Sequence, residues 1–126
     1  MTTTNSRVFH RAHLLHQTTH ISVYGTIQLD WSNALKYAWY FERLRKWMQS
    51  GIVTFSFWKS DGSIRDARGT LNEHLIPKDD RPKGTSTAAP NYAVIKYYDI
   101  DRKGWREFDI RRFVGYVERY PLKESE

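Results

Sequence analysis

Between Asp30 and Gly51 the apolar residues Leu35, Ala38, Phe41, Leu44 and Met48 recur every three or four positions, uninterrupted by Gly or Pro. This is the period of an amphipathic α-helix, and residues 31–50 are predicted to form one. Asp30-Trp31-Ser32-Asn33 offers side chains able to cap its start. Arg43, Arg45 and Lys46 place cations in later turns, where the helix dipole favours them. Ser50-Gly51 is expected to end it with a left-handed glycine.

From Ile52 to Lys59 the period changes to two: Val53, Phe55 and Phe57 share one face, Thr54, Ser56 and Trp58 the other. Such alternation marks a half-buried strand. Ser60-Asp61-Gly62-Ser63 follows, and Asp-Gly readily takes the positive φ angles of a primed hairpin turn, so 64–71 is the predicted partner strand. A second hairpin, 93–100 with 105–110, turns at Asp101-Arg102-Lys103-Gly104. Arg111-Arg112-Phe113 reads as a tight turn into a fifth strand, 114–118. The stretch 77–90, rich in Pro, Lys, Asp, Ser and Thr, is long enough to be a functional loop.

Short antiparallel strands must hide their edges, and closure into a barrel does so with the least chain. The expected fold is therefore mainly β (α+β), an N-terminal amphipathic helix followed by a five-stranded β-barrel over 52–118. Residues 1–30, polar and rich in Thr and His, are expected to be a loosely structured arm with one short strand near Ile21–Gly25. Residues 121–126 read as a frayed tail.

Composition narrows the function classes. A chain of 126 residues suits one domain, and 15% aromatic residues argue for a packed core rather than disorder. No apolar run approaches a membrane span, and Met1–Ser6 lacks the apolar core of a secretory signal. Cysteine is absent, which excludes disulfides, a thiolate nucleophile and Cys-based zinc sites. A cytoplasmic location is the expectation. A net charge of +6 and a pI near 9.7 favour polyanionic partners such as nucleic acid.

Three stretches carry a family resemblance. They are Leu44-Arg45-Lys46 through Gly51-Ile52-Val53-Thr54-Phe55; Lys59-Ser60-Asp61-Gly62-Ser63-Ile64-Arg65 leading to Gly69-Thr70-Leu71; and Tyr97-Tyr98-Asp99 followed by Gly104-Trp105-Arg106-Glu107-Phe108-Asp109-Ile110-Arg111-Arg112-Phe113. Together they resemble the WYL-like small proteins with an Sm-like SH3 β-barrel fold, a family without an assigned activity from phages and mobile elements of Bacteroidota. The last stretch is similar to the end of WYL domains, although no Trp-Tyr-Leu tripeptide occurs here. The resemblance implies an Sm-like SH3-type barrel and nominates Arg106, Arg111 and Arg112 as contacts to nucleotide or single-stranded nucleic acid.

Parity adds its own reading of Arg106. It alternates in step with Phe108 and Ile110, so it is expected to point inward at a barrel mouth, where a guanidinium needs a partner anion. That partner is either a ligand phosphate or an internal carboxylate from Asp99, Asp101 or Glu107. Arg65 and Trp58 are supporting candidates, for cations interleaved with exposed rings suit single strands. Arg65 and Arg68 fall on opposite faces by parity. His10, His13, His16 and His20 would share one side of a helix, but without a nearby acidic ligand no metal site is expected. No phosphate loop, serine elbow or His-Glu-x-x-His motif is present, and the chain is expected to be neither an enzyme nor a cofactor carrier. On the helix, Trp39, Trp47 and Tyr40 belong to more rings than one core-facing stripe needs, making them candidates for self-association or a host-protein surface. Two function classes follow: a non-catalytic binder of nucleic acid or nucleotide, and a protein–protein module that inhibits or regulates a host system.

Overall fold

The predicted helix forms over its whole span in the structure, a computed structural model that describes residues 4–22, 25–82 and 92–119. In chain order the elements are α1 (Thr4–Gln17), β1 (Thr19–Ser22), β2 (Gly25–Gln28), α2 (Trp31–Ser50), β3 (Ile52–Trp58), β4 (Ile64–Thr70), β5 (Val94–Asp99), β6 (Gly104–Asp109) and β7 (Phe113–Arg119). β1 and β2 pair as a separate hairpin, and the other five strands make one antiparallel sheet in the order β6-β5-β4-β3-β7.

At the start of α2 the Asp30 carboxylate accepts the Asn33 N–H at 2.8 Å, satisfying a donor that the first helical turn leaves free. Its end differs from expectation. Gly51 is extended, with φ 179°, not left-handed. The last carbonyls are satisfied from β4 and just beyond it instead: the Thr70 hydroxyl donates to the Met48 and Gly51 carbonyls at 3.2 and 2.8 Å, and the Leu71 N–H donates to Met48 at 2.9 Å. The buried stripe is Ala34, Ala38, Phe41, Leu44 and Met48, which leaves Leu35 at its margin.

Residues 1–30 are not the loose arm expected from their polarity. Within them α1 buries Val8, Ala12 and Leu15 in the same core as α2, at spacings of four and three. Polar groups hold the two helices together. The Arg11 guanidinium lies 3.5 Å from the centroid of the Phe41 ring and 3.5 Å from the Glu42 carboxylate, and it donates to the Tyr92 carbonyl. Burial lowers the Arg11 pKa, and Glu42 counters that effect. Arg7 reaches the same carboxylate at 3.4 Å.

The β3–β4 turn also departs from expectation in type. Of its residues only Gly62 has positive φ, 91°. The Gly62 N–H donates to the Lys59 carbonyl at 3.0 Å, while Lys59 and Ser63 close the ladder at 2.7 Å. This is a three-residue loop with a left-handed glycine in its last place rather than a primed two-residue turn.

The expected closed barrel is corrected to an open, strongly curled sheet: among the described residues no ladder joins its edge strands β6 and β7. Asp109 accepts the Arg111 N–H and starts a 3₁₀ turn, Ile110–Arg112, which packs on α2 and carries the chain from one edge to the other. The turn supplies apolar contact where a barrel would supply a final ladder. The curl is nonetheless tight. Phe57 on β3 and Phe108 on β6 stack with ring centroids 4.4 Å apart and planes 9° from parallel. A flat sheet would hold those strands about 14 Å apart, three strand spacings. Phe55 and Tyr97 complete the aromatic interior.

Gly69 on β4 permits this closeness, because a Cβ there would lie 2.7 Å from Cδ2 of Tyr97 and 3.1 Å from Cε1 of Phe55. Gly69→Ala is expected to lower unfolding free energy by about 1–3 kcal/mol, read from urea denaturation. Arg11→Ala should cost about 2–3 kcal/mol because it leaves the buried Glu42 with only the more exposed Arg7 as its partner. Arg7 is 41% exposed at its side chain against 14% for Arg11, so Arg7→Ala should cost less than about 1 kcal/mol.

Candidate functional site

Strand alternation sorts the candidate residues onto two faces. On the inner face Arg65 stands opposite Phe57, and Arg106 opposite Tyr97. On the outer face Trp58 stands opposite Ile64, Tyr98 opposite Trp105, and Lys96 opposite Glu107. Arg65 and Trp58 therefore lie on opposite sides of the sheet and form no common patch.

The arginines differ sharply in how far the protein already uses them. Arg111 is gripped by Asp109 through two charge-assisted bonds, Nε to Oδ1 at 2.9 Å and Nη2 to Oδ2 at 2.7 Å. Burial opposes its charge, but the Asp109 hydrogen bonds outweigh it and raise the pKa. Its fork is spent internally. Arg65 pairs with Asp99 at 2.9 Å, so the internal salt bridge considered for Arg106 belongs to Arg65 instead. Arg68 pairs with Asp101 at 2.9 Å. Arg112 is half-buried on the 3₁₀ turn.

Arg106 is exposed, not pointed into a closed interior. Parity places it on the inner face, but it lies two residues from the start of an edge strand, where the open sheet leaves it in solvent. No carboxylate pairs with it among the described residues. It lines an open hollow of about 470 Å³ together with Pro82, Lys96, Trp105 and Glu107. The segment leading to Pro82 is pinned over the outer face: the Tyr98 hydroxyl donates to Asp80 Oδ2 at 2.7 Å, and the Trp105 indole N–H donates to the Asp80 carbonyl at 2.7 Å. The Asp80 hydrogen bond raises the Tyr98 pKa. These bonds fix the indole, which stays 41% exposed. Of the expected loop 77–90, residues 83–90 lie outside the described residues, as does the tail 121–126.

Trp105 was not among the residues singled out from the sequence. Its signal was present, since it alternates out of step with Phe108 and so must face outward beside Arg106. Trp58 is exposed, though distant in register from this hollow. The helix rings are largely consumed by packing: Tyr40 lies 5.0 Å from Phe113, Trp47 lies 4.9 Å from Tyr116, and Trp39 sits half-buried under Arg43. The N-terminal histidines do not converge. His10 and His13 are exposed, and His16 bonds the Leu29 carbonyl at 3.0 Å and meets Trp31 edge-on. The His20 side chain lies outside the described residues, and among those described no three ligand side chains gather for a metal. No helix among them is long and apolar enough to cross a membrane.

Residues 41–114, which run from midway along α2 through β6 to the start of β7 and contain the hollow, match the family model described as WYL_2, Sm-like SH3 beta-barrel fold. The chain belongs to the WYL_2 family. The WYL_2 match begins midway along α2 and excludes α1 and the β1–β2 hairpin, but contains Arg65, Tyr97, Asp99, Lys96, Trp105 and Arg106. A curated relative is the "Uncharacterized 11.5 kDa protein in Gp31-cd intergenic region" of Enterobacteria phage T4, 31% identical over 75 residues, 59% of this chain and 74% of that protein. No solved structure matches the chain.

Tyr97 on the inner face is 0% exposed, and burial, aided by Asp99 but opposed by Arg65, pushes its pKa up to about 12. An unfolded tyrosine ionises near pH 10, so between about pH 10 and 12 the unfolded state loses a proton that the folded state keeps. Stability from this group is present below pH 10 and lost as pH rises through 12. The unfolding free energy of wild type should fall relative to Tyr97→Phe by about 2 kcal/mol across that window, measured by urea unfolding at both ends.

Proposed function

We propose that this WYL_2 protein is a small, non-catalytic binding protein of a phage or mobile element, and that it takes single-stranded nucleic acid or nucleotide at the hollow beside Arg106. The observation that carries this reading is the exposed Trp105 ring held next to an unpaired guanidinium and the Lys96 ammonium. An indole locked by its own N–H bond offers a flat apolar face at little entropic cost, as base stacking requires. Arg106 supplies a phosphate fork, and Lys96 a second cation partly offset by Glu107 across the strand pair. The +6 net charge adds a long-range attraction for polyanions. Among the nominated arginines the reading narrows to Arg106, because Arg111 and Arg65 are already ion-paired and Arg112 lies on the 3₁₀ turn beyond the far end of β6.

The alternative, a protein–protein module acting on a host system, is favoured by a different surface from the one nominated. Phe9 on α1 and Trp31 on α2 stack at 6.5 Å while remaining 54% and 40% exposed. That pair, rather than Trp39, Trp47 and Tyr40, would be its anchor.

Fluorescence anisotropy of labelled single-stranded DNA, single-stranded RNA and duplex DNA over a salt series separates the two. Binding should weaken steeply with salt. Arg106→Ala and Trp105→Ala should each weaken it about tenfold or more. Affinity that is flat with salt, or unchanged in both variants, rejects the nucleic-acid reading. Loss of a captured partner in Phe9→Ser would then favour the protein module.

A further inference from the structure

The inner face of the sheet carries an unfinished polar cluster that shares only Arg106 with the hollow. The Tyr97 hydroxyl is buried and has no hydrogen-bond partner, and neither has Nε of Arg65. Arg65 spends one nitrogen, Nη2, on Asp99. Both Asp99 oxygens are engaged, because the other one accepts the Arg102 N–H at 2.9 Å. Around the phenol the charges do not balance: Arg65, Arg102 and Arg106 all act on it electrostatically, against the single carboxylate of Asp99. Arg102 and Arg106 are exposed, and no carboxylate pairs with either side chain among the described residues, so both are free to swing onto an anion. A buried hydroxyl and a buried guanidinium N–H left unpaired cost free energy that a ligand would recover.

We propose that this inner-face cluster binds a phosphate monoester dianion, held by the Tyr97 hydroxyl, Nε of Arg65 and the guanidinium of Arg106. A dianion matches the two uncompensated positive charges, and donors on one face of three neighbouring strands suit a tetrahedral group better than a planar carboxylate. Arg65 on β4 and Tyr97 on β5 lie on the opposite side of the sheet from Lys96 and Trp105, so Arg106 is the one residue this site has in common with the outer hollow. Its phosphate belongs either to a free mononucleotide or to the end of a strand.

Thermal-shift and calorimetric titrations with inorganic phosphate, AMP, and a short oligothymidylate bearing either a 5′-phosphate or a 5′-hydroxyl test the site. Phosphate monoesters should raise Tm, and Tyr97→Phe and Arg65→Lys should each weaken their binding about tenfold, while Lys96→Ala leaves it unchanged. Tyr97→Phe removes an unsatisfied group and should fold at least as well as wild type, so its loss of binding would not be a loss of structure. A response to the phosphorylated oligonucleotide but not its hydroxyl twin supports the site with a strand end as its ligand. An equal response to AMP without one to either oligonucleotide supports it with a free mononucleotide. Absence of any shift with phosphate, AMP and phosphorylated strand overturns the proposal, as does binding unaltered in both variants. Oligonucleotide binding lost in Trp105→Ala but indifferent to the 5′-phosphate would sink this site and leave the outer hollow standing.

Discussion

The stacking of Phe57 on Phe108 sets the shape of the sheet. Two strands lie between them in hydrogen-bonding order, yet their rings are in contact at 4.4 Å. Only a strongly curled sheet allows this, and the curl needs room inside. Gly69 supplies it on β4, where any side chain would strike the Tyr97 ring. The same curl buries the Tyr97 hydroxyl and draws Arg65 against Asp99, so the polar cluster on the inner face results from aromatic packing.

Curling without closure leaves two edges, and the protein treats them differently. At the β6–β7 join a 3₁₀ turn capped by Asp109 packs on α2. Rings from β7 and from this corner meet Tyr40 and Trp47 of the helix. These contacts explain why α2 carries aromatic residues on more than one side. One side faces the sheet and α1, and another faces β7. The helix is a shared wall between the two structural layers rather than a lid on one of them.

Internal ion pairs decide which cations are available to a ligand. Arg7 and Arg11 serve Glu42, Arg65 serves Asp99, Arg68 serves Asp101, and Arg111 serves Asp109. Arg106 has no such duty, and its position at the rim of an edge strand puts it within reach of both sheet faces. Outward it adjoins an indole fixed by Asp80, and inward it acts on the Tyr97 phenol. Of the exposed cations without an ion pair among the described residues, which also occur along α2, Arg106 and Lys96 are the two that share the hollow with an exposed indole.

Much of the fold was legible in the chain because periodicity is local. The 3.6-residue stripe of α2, the alternation in β3, the places of both hairpin turns and the Arg111-Arg112 corner are each written within a few residues, and a family resemblance pointed to an Sm-like fold. α1 escaped because its apolar stripe is only Val8, Ala12 and Leu15 among Thr, His and Arg, too little surface to declare a helix without the α2 face and Glu42 that stabilise it. Strand parity also fixed the face of Arg106, but parity carries no information about depth. Whether that face is buried there depends on where the sheet opens, which is a long-range property. From α2 onward the sequence alone determined the elements, their order and the alternation of faces, since these follow from backbone geometry and neighbouring side chains. Tertiary structure decided that the sheet curls without closing, that Arg65 rather than Arg106 takes the internal carboxylate, and that Trp105 is the ring beside the free cation. Those outcomes turn on distances between residues far apart in the chain, and packing alone sets them.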